Sequence, residues 1–345
     1  MKKVLFITST FPRSKDEVWA KWIGELAVRL KDDGEDVSVF APSFRGLPSH
    51  VYRGINVTRF RYAPSGVEVL TQEKGAVFKL KKNPFLFFLV PLFFFFGFWG
   101  LIKLLRKNNY QVIHVHWPFP MGLFGLLAKY INKGSLVLTF YGAEFSLIRK
   151  VPFGSLITKY VIKSADKVTA ISTYTAELVK KIMKVPVVVI PYTSTFTLGQ
   201  STTGPLFKEL EDLVLRLRLE GSVDFKGKIS DRELILLYKN CDVFVLPSIT
   251  DKWGDTEGLG VVLLEAMGFG KPVIASRIGG ITDIVKHEYT GLRVEQKNIR
   301  ELSQAVIRVL QNDKFARGLA ENGYEYFKTN FNWNSTIKKT QSLYV

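Results

Sequence analysis

Glu257 and Glu265 bracket the stretch Gly258-Leu259-Gly260-Val261-Val262-Leu263-Leu264. Carboxylates at these two positions can each accept hydrogen bonds from a pair of vicinal hydroxyls. Between them, Gly258 and Gly260 let backbone N–H groups come close to a ligand, and the apolar run from Val261 opens a helix whose N-terminus attracts anions. That combination suits a ligand with hydroxyl-bearing rings on both sides of a phosphate, as in a sugar nucleotide. Gly270-Lys271-Pro272-Val273-Ile274-Ala275-Ser276 and the pair Gly279-Gly280 follow at once, a strand and a further tight turn. Either glutamate alone would read as an acidic residue beside a helix start. The pair, with Gly-Leu-Gly between them and a strand behind, points to binding.

Other reactive side chains are few. The histidines are His50, His114, His116 and His287, without cysteine partners, and His114 and His116 are expected on opposite faces of a strand, so no metal site is expected. Cys241, the only cysteine, excludes an intramolecular disulfide framework and is expected to be a buried structural thiol before the strand Val243–Leu246.

These residues need a scaffold, and 345 residues are enough for two α/β domains. Short apolar runs at Val4–Thr8, Val37–Ala41, Val57–Phe60, Val112–His116, Leu136–Phe140, Val168–Ile171 and Val187–Ile190 alternate with amphipathic stretches near Trp19–Lys31, from Gly122 and at Ala176–Met183. Such alternation predicts a parallel sheet covered on both faces, with ligands at the carboxyl ends of its strands. A polar, turn-prone stretch then reads as a linker. Beyond it come a helix near Leu206–Leu217, strands at Val223–Phe225, Val243–Leu246, Val273–Ala275 and Leu292–Val294, and closing helices. The expected organisation is a Rossmann-like domain over residues 1–192, a linker over 193–205, a second Rossmann-like domain over 206–328 and a terminal helix over 329–345, the two domains facing across a cleft.

The net charge of +17 calls for an anionic partner: nucleic acid, an anionic membrane surface or phosphorylated substrates. No nucleic-acid-binding signature is present, so nucleic acid is not expected. Met1-Lys2-Lys3 ahead of Val4–Thr8 has no cleavage site after it and reads as the approach to a buried strand rather than a signal peptide. Residues 84–102 are apolar and uncharged, with Lys79, Lys81 and Lys82 before and Lys103, Arg106 and Lys107 after. A single crossing of a bilayer would divide one sheet between two compartments, so the expectation is a helix dipping into one leaflet with its basic flanks on anionic headgroups.

With Val112-Ile113-His114-Val115-His116-Trp117, Thr139-Phe140-Tyr141-Gly142, Val168-Thr169-Ala170-Ile171-Ser172 and the run from Val223-Asp224-Phe225-Lys226-Gly227 to Leu246-Pro247-Ser248, the chain resembles the family 4 (group 1) glycosyltransferases of the GT-B class over most of its length. These are retaining enzymes that move a sugar from a nucleotide donor without a metal or other cofactor. The resemblance implies an α/β fold of GT-B type. It also implies that Glu257 lies by the donor sugar, that Glu265 holds the ribose hydroxyls, and that the backbone from Gly258 through Leu259, Gly260 and Val261 to Val262 faces sugar and diphosphate. His116, the second histidine of His-x-His, would sit near the reacting centre.

The chain departs from the family in four places. The strand ending in Gly-Arg-Leu and the following Lys-Gly, whose cations hold the donor diphosphate, have no counterpart between Ile190 and Val223, so the C-terminal domain is expected to be shortened. Tyr141 stands where the family has histidine, Pro191-Tyr192-Thr193-Ser194-Thr195 replaces Pro-Asn-Gly-Val-Asp, and Thr10-Phe11-Pro12-Arg13-Ser14 lacks Gly-Gly. Arg13, Lys228 and Ile229 complete the expected substrate contacts, with Arg13, Lys228 and Lys252 as candidate substitute cations. The expected activity is sugar transfer to a lipid-linked or polysaccharide acceptor in polysaccharide biosynthesis, by a cytoplasmic protein peripheral on the inner face of the cytoplasmic membrane. A degenerate member that binds nucleotide or glycan with little turnover is the alternative. A dinucleotide-dependent oxidoreductase is disfavoured because no Gly-x-Gly-x-x-Gly follows the first strand.

Overall fold

A computed structural model describes residues 1–15, 17, 20–71, 79, 83–193, 206–227, 229–251 and 254–344. The first body contains β1 (Lys3–Ile7), α1 (Lys21–Asp32), β2 (Asp36–Pro42), β3 (His50–Tyr52), β4 (Ile55–Phe60) and α2 (Leu89–Lys107). It continues with β5 (Val112–His116), α3 (Pro118–Asn132), β6 (Ser135–Phe140), α4 (Glu144–Lys150), α5 (Gly154–Lys163), β7 (Lys167–Ala170), α6 (Thr173–Ile182) and β8 (Val188–Val189). The second contains α7 (Phe207–Leu217), α8 (Asp231–Asn240), β9 (Phe244–Leu246), α9 (Val261–Gly268), β10 (Val273–Ser276), α10 (Ile281–Ile284) and β11 (Leu292–Val294). Three helices close the chain: α11 (Ile299–Gln311), α12 (Asp313–Asn330) and α13 (Trp333–Gln341).

The strands of the first body form one sheet in the order β3-β4-β2-β1-β5-β6-β7-β8, parallel except for the β3–β4 hairpin. Val4, Leu5, Phe6 and Ile7 of the central β1 are fully buried, as an uninterrupted apolar run between two helical layers requires. From β4 onward the chain steps across the sheet in one direction, so right-handed crossovers put α2, α3, α5 and α6 on one face, whereas β1 to β2 steps the other way and puts α1 opposite. α13 returns from the end of the chain to this opposite side, where Thr336 Oγ1 donates to the Pro191 carbonyl (3.1 Å) and Arg29 lies 5.0 Å over the Trp333 ring.

α2 lies on the sheet through Phe93, Gly97, Leu101 and Leu105, one residue per turn. Gly97 is needed there: a Cβ would stand 2.6 Å from the Phe124 ring and 3.2 Å from Phe60. The outer side is not covered, and Phe85, Phe88, Phe95 and Trp99 are more than half exposed. Lys79, expected on a membrane surface, is turned inward, its Nζ donating to the carbonyls of Val69 (2.7 Å) and Thr71 (3.0 Å). Lys81 and Lys82 lie outside the described residues, as does nearly all of the linker, 194–205.

The second sheet has three parallel strands among the described residues, in the order β11-β10-β9. Val223–Phe225, expected as a strand, takes no sheet conformation, because a strand exists only against a neighbour and among the described residues none is beside it. α7 is strongly amphipathic in sequence yet buries no residue.

Candidate functional site

The second body is built around the start of α9. Gly260 caps that helix at φ +86°, a left-handed conformation that glycine adopts without strain. Gly279 and Gly280 press the loop 257–259 from below: a Cβ on Gly280 would stand 2.0 Å from the Gly258 carbonyl oxygen, and one on Gly279 2.1 Å from that of Glu257. The Gly280 N–H also donates to the Glu257 carbonyl (3.0 Å). Glu257 turns its carboxylate onto its own loop, where Oε1 accepts from the N–H groups of Gly260 (3.1 Å) and Leu259 (3.4 Å). Two amides expected to face a ligand are therefore occupied, and a phosphate arriving there must displace this carboxylate or use the first helical amides, of Val261 and Val262. Glu265 is buried one side of the helix away and accepts from Tyr238 Oη (2.9 Å), a tyrosine of α8 whose ionisation burial and the adjacent carboxylate both oppose.

This loop meets the carboxyl end of the first sheet. A Cβ on Gly258 would stand 2.9 Å from the Tyr141 carbonyl oxygen, Thr173 N donates to Asp283 Oδ2 (2.6 Å), and Arg149 reaches Asp255 (3.5 Å). The ring of Tyr141 stacks on Trp117 at 4.6 Å, and Trp22 stacks on Tyr192 at 5.3 Å, so four aromatic rings line the junction. The charge of Glu257 and burial together raise the pKa of Tyr192, burial being the larger cause.

His114 and His116, expected on opposite faces, share one face of β5 with their rings stacked at 4.3 Å, because side chains two residues apart in a strand point the same way. His114 is held by Tyr344 Oη (2.9 Å) and Thr139 Oγ1 (2.7 Å), and burial lowers its pKa to about 3. Burial, with His114 as a second cause, keeps His116 neutral too. His116 Nδ1 pairs with Tyr141 Oη at 2.8 Å, while its Nε2 is buried without a partner among the described residues. The neutral ring carries one hydrogen: with Tyr141 Oη donating to Nδ1, Nε2 is a donor, and with Nδ1 donating to Oη, Nε2 is an acceptor, so His116 is a neutral hydrogen-bonding group rather than a cation.

Glu144, which follows Tyr141-Gly142-Ala143, is marked by no motif in the sequence. It is fully enclosed: Oε1 accepts from Tyr141 N (3.0 Å), and Oε2 has no partner among the described residues. Burial raises its pKa to about 7 against the lowering effect of three backbone N–H groups, those of Tyr141, Glu144 and Gly142. A carboxyl whose folded pKa exceeds its unfolded value of 4.5 holds its proton more tightly when folded, so stability is present below that value and lost as pH rises to about 7. The loss is on the order of 3 kcal/mol. Between about pH 5 and about pH 8 the wild type should therefore lose melting temperature relative to E144Q, and a difference independent of pH would show that Glu144 does not titrate in this range.

Of the expected cations only Arg13 lies within the described residues. Arg13 is paired with Glu17 and lies 5.1 Å over the Phe44 ring, Lys228 and Lys252 fall outside the described residues, and Ile229 is half-buried just ahead of Ser230, which caps α8 with Glu233. Arg59, which no motif marks, shapes the loop after β1. Its buried guanidinium donates to the carbonyls of Pro42 (3.0 Å), Phe11 (2.9 Å) and Pro12 (3.2 Å), and burial lowers its pKa to about 10. Cys241 is half-buried, its Sγ 3.5 Å from the Tyr238 carbonyl oxygen, and burial raises its pKa.

Comparison with known proteins gives this geometry a family. An uncharacterized glycosyltransferase of Methanocaldococcus jannaschii is 26% identical over 280 residues, 70% of this chain and 77% of that protein. The N-acetyl-alpha-D-glucosaminyl L-malate synthase of Bacillus anthracis is 24% identical over 71% of this chain and 77% of its own. A GDP-mannose-dependent alpha-(1-6)-phosphatidylinositol monomannoside mannosyltransferase of Mycobacterium tuberculosis is 33% identical over 39% of this chain and 36% of its own. In fold, the sucrose-phosphate synthase of Thermosynechococcus elongatus superposes over 100% of this chain and 98% of its own with a TM-score of 0.77 at 20% identity. The HepE protein of Anabaena, solved with UDP, covers 99% of this chain and 98% of its own with a TM-score of 0.70 at 16% identity. Residues 20–192 match the family described as Glycosyltransferase Family 4 and residues 176–326 the one described as Glycosyl transferases group 1, and the chain is therefore a GT-B glycosyltransferase of family 4, group 1.

Proposed function

We propose that the protein is a retaining hexosyltransferase that moves a sugar from a nucleotide-sugar donor to a lipid-linked or polysaccharide acceptor, without a metal or other cofactor. The observation that carries this reading is the closed contact between the loop 257–260 at the α9 N-terminus and the Tyr141–Gly142 turn that holds His116. Donor phosphates sit on the helix N-terminus, Glu265 takes the ribose hydroxyls, Glu257 takes the sugar after leaving its own amides, and His116 stands across the junction. The Anabaena relative solved with UDP lends support to a nucleotide donor.

The test separates the two glutamates. E265Q is expected to weaken donor binding about tenfold or more, the worth of a charge-assisted hydrogen bond, with little change in kcat. It should leave binding of a dideoxyribose nucleotide almost unchanged. E257Q is expected to lower kcat far more than donor affinity, because its contact is made at the reacting sugar. Calorimetric titration with a panel of nucleotide sugars, read beside a sugar-transfer assay, measures both; unchanged affinity and rate in both variants would refute the assignment.

The membrane part of the reading rests on α2, long and apolar enough by composition to cross a bilayer yet fixed to the sheet along one side. Its outer aromatics, with Lys103, Arg106 and Lys107 at its end, suit a helix lying in the headgroup region of an anionic leaflet on the cytoplasmic side. α3 packs between α2 and α5, and α5 adds exposed Leu156 and Tyr160 with Lys159 and Lys163. Flotation with anionic vesicles should carry the protein upward at low salt and release it at high salt, at about 1 kcal/mol per basic residue. Failure to float at low salt would leave α2 as a surface helix of another purpose.

A weakly active member that chiefly binds nucleotide or glycan is the second reading. The unpaired Val223–Phe225 and the unburied α7 favour it.

A further inference from the structure

Resting on the reading of the first body as the acceptor side of a transferase, we propose that the basic cluster around Phe44 is an anion site that seats a phosphate or diphosphate carried by the acceptor. The guanidinium carbons of Arg13 and Arg45 and the Nζ of Lys79 stand 5.1, 5.3 and 5.3 Å from the centroid of the Phe44 ring. No two of them are further apart than twice that distance. Arg59 adjoins them, 6% exposed and close enough to Arg13 that the two charges oppose each other. Its Nη atoms donate to the carbonyls of Pro42, Phe11 and Pro12, while its Nε is buried without a partner among the described residues. Two carboxylates face the group, and both are engaged. Glu17 pairs with Arg13, and the buried Glu68 holds Arg61, the Ser43 hydroxyl and the N–H groups of Gly46 and Tyr62. Arg45 is exposed, and no carboxylate among the described residues pairs with it.

Arg13, Arg45, Arg59, Arg61 and Lys79 set against Glu17 and Glu68 make three more positive than negative charges in this cluster. Covering an aromatic ring needs no charge, and three cations around one ring repel each other. An anion among them removes that repulsion and gains forked guanidinium contacts, and a diphosphate matches the excess better than one carboxylate does. The sheet order separates this site from the donor loop. Ile7 of β1 sits level with Phe40 of β2 and Val115 of β5, so with strands about 4.8 Å apart the cluster begins about 10 Å from His116. The loop 257–260 meets the other side of His116, where Gly258 approaches Tyr141 and Ile171 at the ends of β6 and β7. Donor loop and cluster thus flank His116, as an acceptor requires whose hydroxyl reaches His116 while its charged group rests by Phe44.

The test titrates the full chain with inorganic pyrophosphate and follows hydrogen exchange, which should slow in peptides covering 8–14 and 43–47. R45E changes an exposed side chain and should keep the wild-type melting temperature, while the affinity read from that protection falls at least about tenfold and R45K retains most of it. Malonate, a dicarboxylate, should bind more weakly than pyrophosphate. Geranyl diphosphate and glucose 1-phosphate separate the sources: tighter binding of the first assigns the site to a lipid diphosphate, and of the second to a phosphorylated glycan. Flotation on phosphatidylglycerol vesicles should be equal for R45E and wild type, and its loss in R45E would make the cluster part of a membrane surface and overturn the proposal. So would malonate binding as tightly as pyrophosphate, or a folded R45E that binds pyrophosphate as wild type does. Protection confined to 259–263 would sink this site and leave the donor loop standing. Protection at 43–47 with affinity and rate unchanged in both E257Q and E265Q would do the reverse.

Discussion

Inserting the strand–helix–strand of an active family member, with its Gly-Arg-Leu and Lys-Gly, between Ile190 and Val223 is expected to raise turnover by orders of magnitude and to change donor affinity only modestly. Charge grows on the leaving diphosphate in the transition state, and groups that meet it there act on rate rather than on binding. Removing one such contact costs about 10²–10³-fold in rate, and the Gly-Arg-Leu and Lys-Gly that would supply two have no counterpart in the sequence between Ile190 and Val223. Ground-state binding keeps the α9 N-terminus and both glutamates. Arg13, the one candidate substitute within the described residues, is already engaged by Glu17. kcat and donor Kd, measured on both chains with one donor, decide the matter. If the unmodified chain already matches ordinary relatives, a cation in the present chain does the work, and alanine substitution at Lys228 and Lys252 should reveal it.

Replacing Gly280 with alanine is expected to dismantle the donor loop. Its φ of −75° is open to any residue, so the obstacle is purely spatial. The new Cβ would stand 2.0 Å from the Gly258 oxygen, 2.6 Å from the Gly258 carbonyl carbon and 2.7 Å from the Leu259 Cα, all backbone atoms that cannot rotate aside. Overpacking of this kind costs about 1–3 kcal/mol or more, and relief requires the loop to leave the α9 N-terminus. G280A should lose several degrees of melting temperature and at least tenfold in donor affinity. Gly318 in α12 supplies the contrast: nothing lies within 4 Å of its Cβ position, and alanine there should stabilise by about 0.5–1 kcal/mol through helix propensity. If G280A bound donor like wild type, the packing of Gly280 against 258–259 would not be what holds the loop.

The layers of the fold were open to reading in the sequence because buried parallel strands are continuous apolar runs. β1, β2, β5, β6 and β7 were each placed to within about two residues from that signal. β3 was missed, since three residues ending at the Arg53-Gly54 turn carry too little periodicity, and α4 and α5 were missed between two clear strands. Val223–Phe225 shows the limit of propensity: its residues favour a strand, but pairing is a property of neighbours, and among the described residues no strand lies beside it.

At the site, the sequence by itself determined residue types at close spacing: two glutamates around a glycine-bearing helix start, and two histidines on one strand. Spacing within one element carries that information because helix and strand geometry are local. Only the tertiary structure decided what those groups face. Glu257 lies on its own loop amides, Tyr141 reaches His116 across two strands, and Tyr344 closes on His114 from 230 positions away. Burial of Glu144, the inward turn of Lys79 and the pressure of Gly280 on Gly258 likewise arise where distant segments meet. Desolvation and contact depend on the atoms that surround a group, and a linear sequence does not name those atoms.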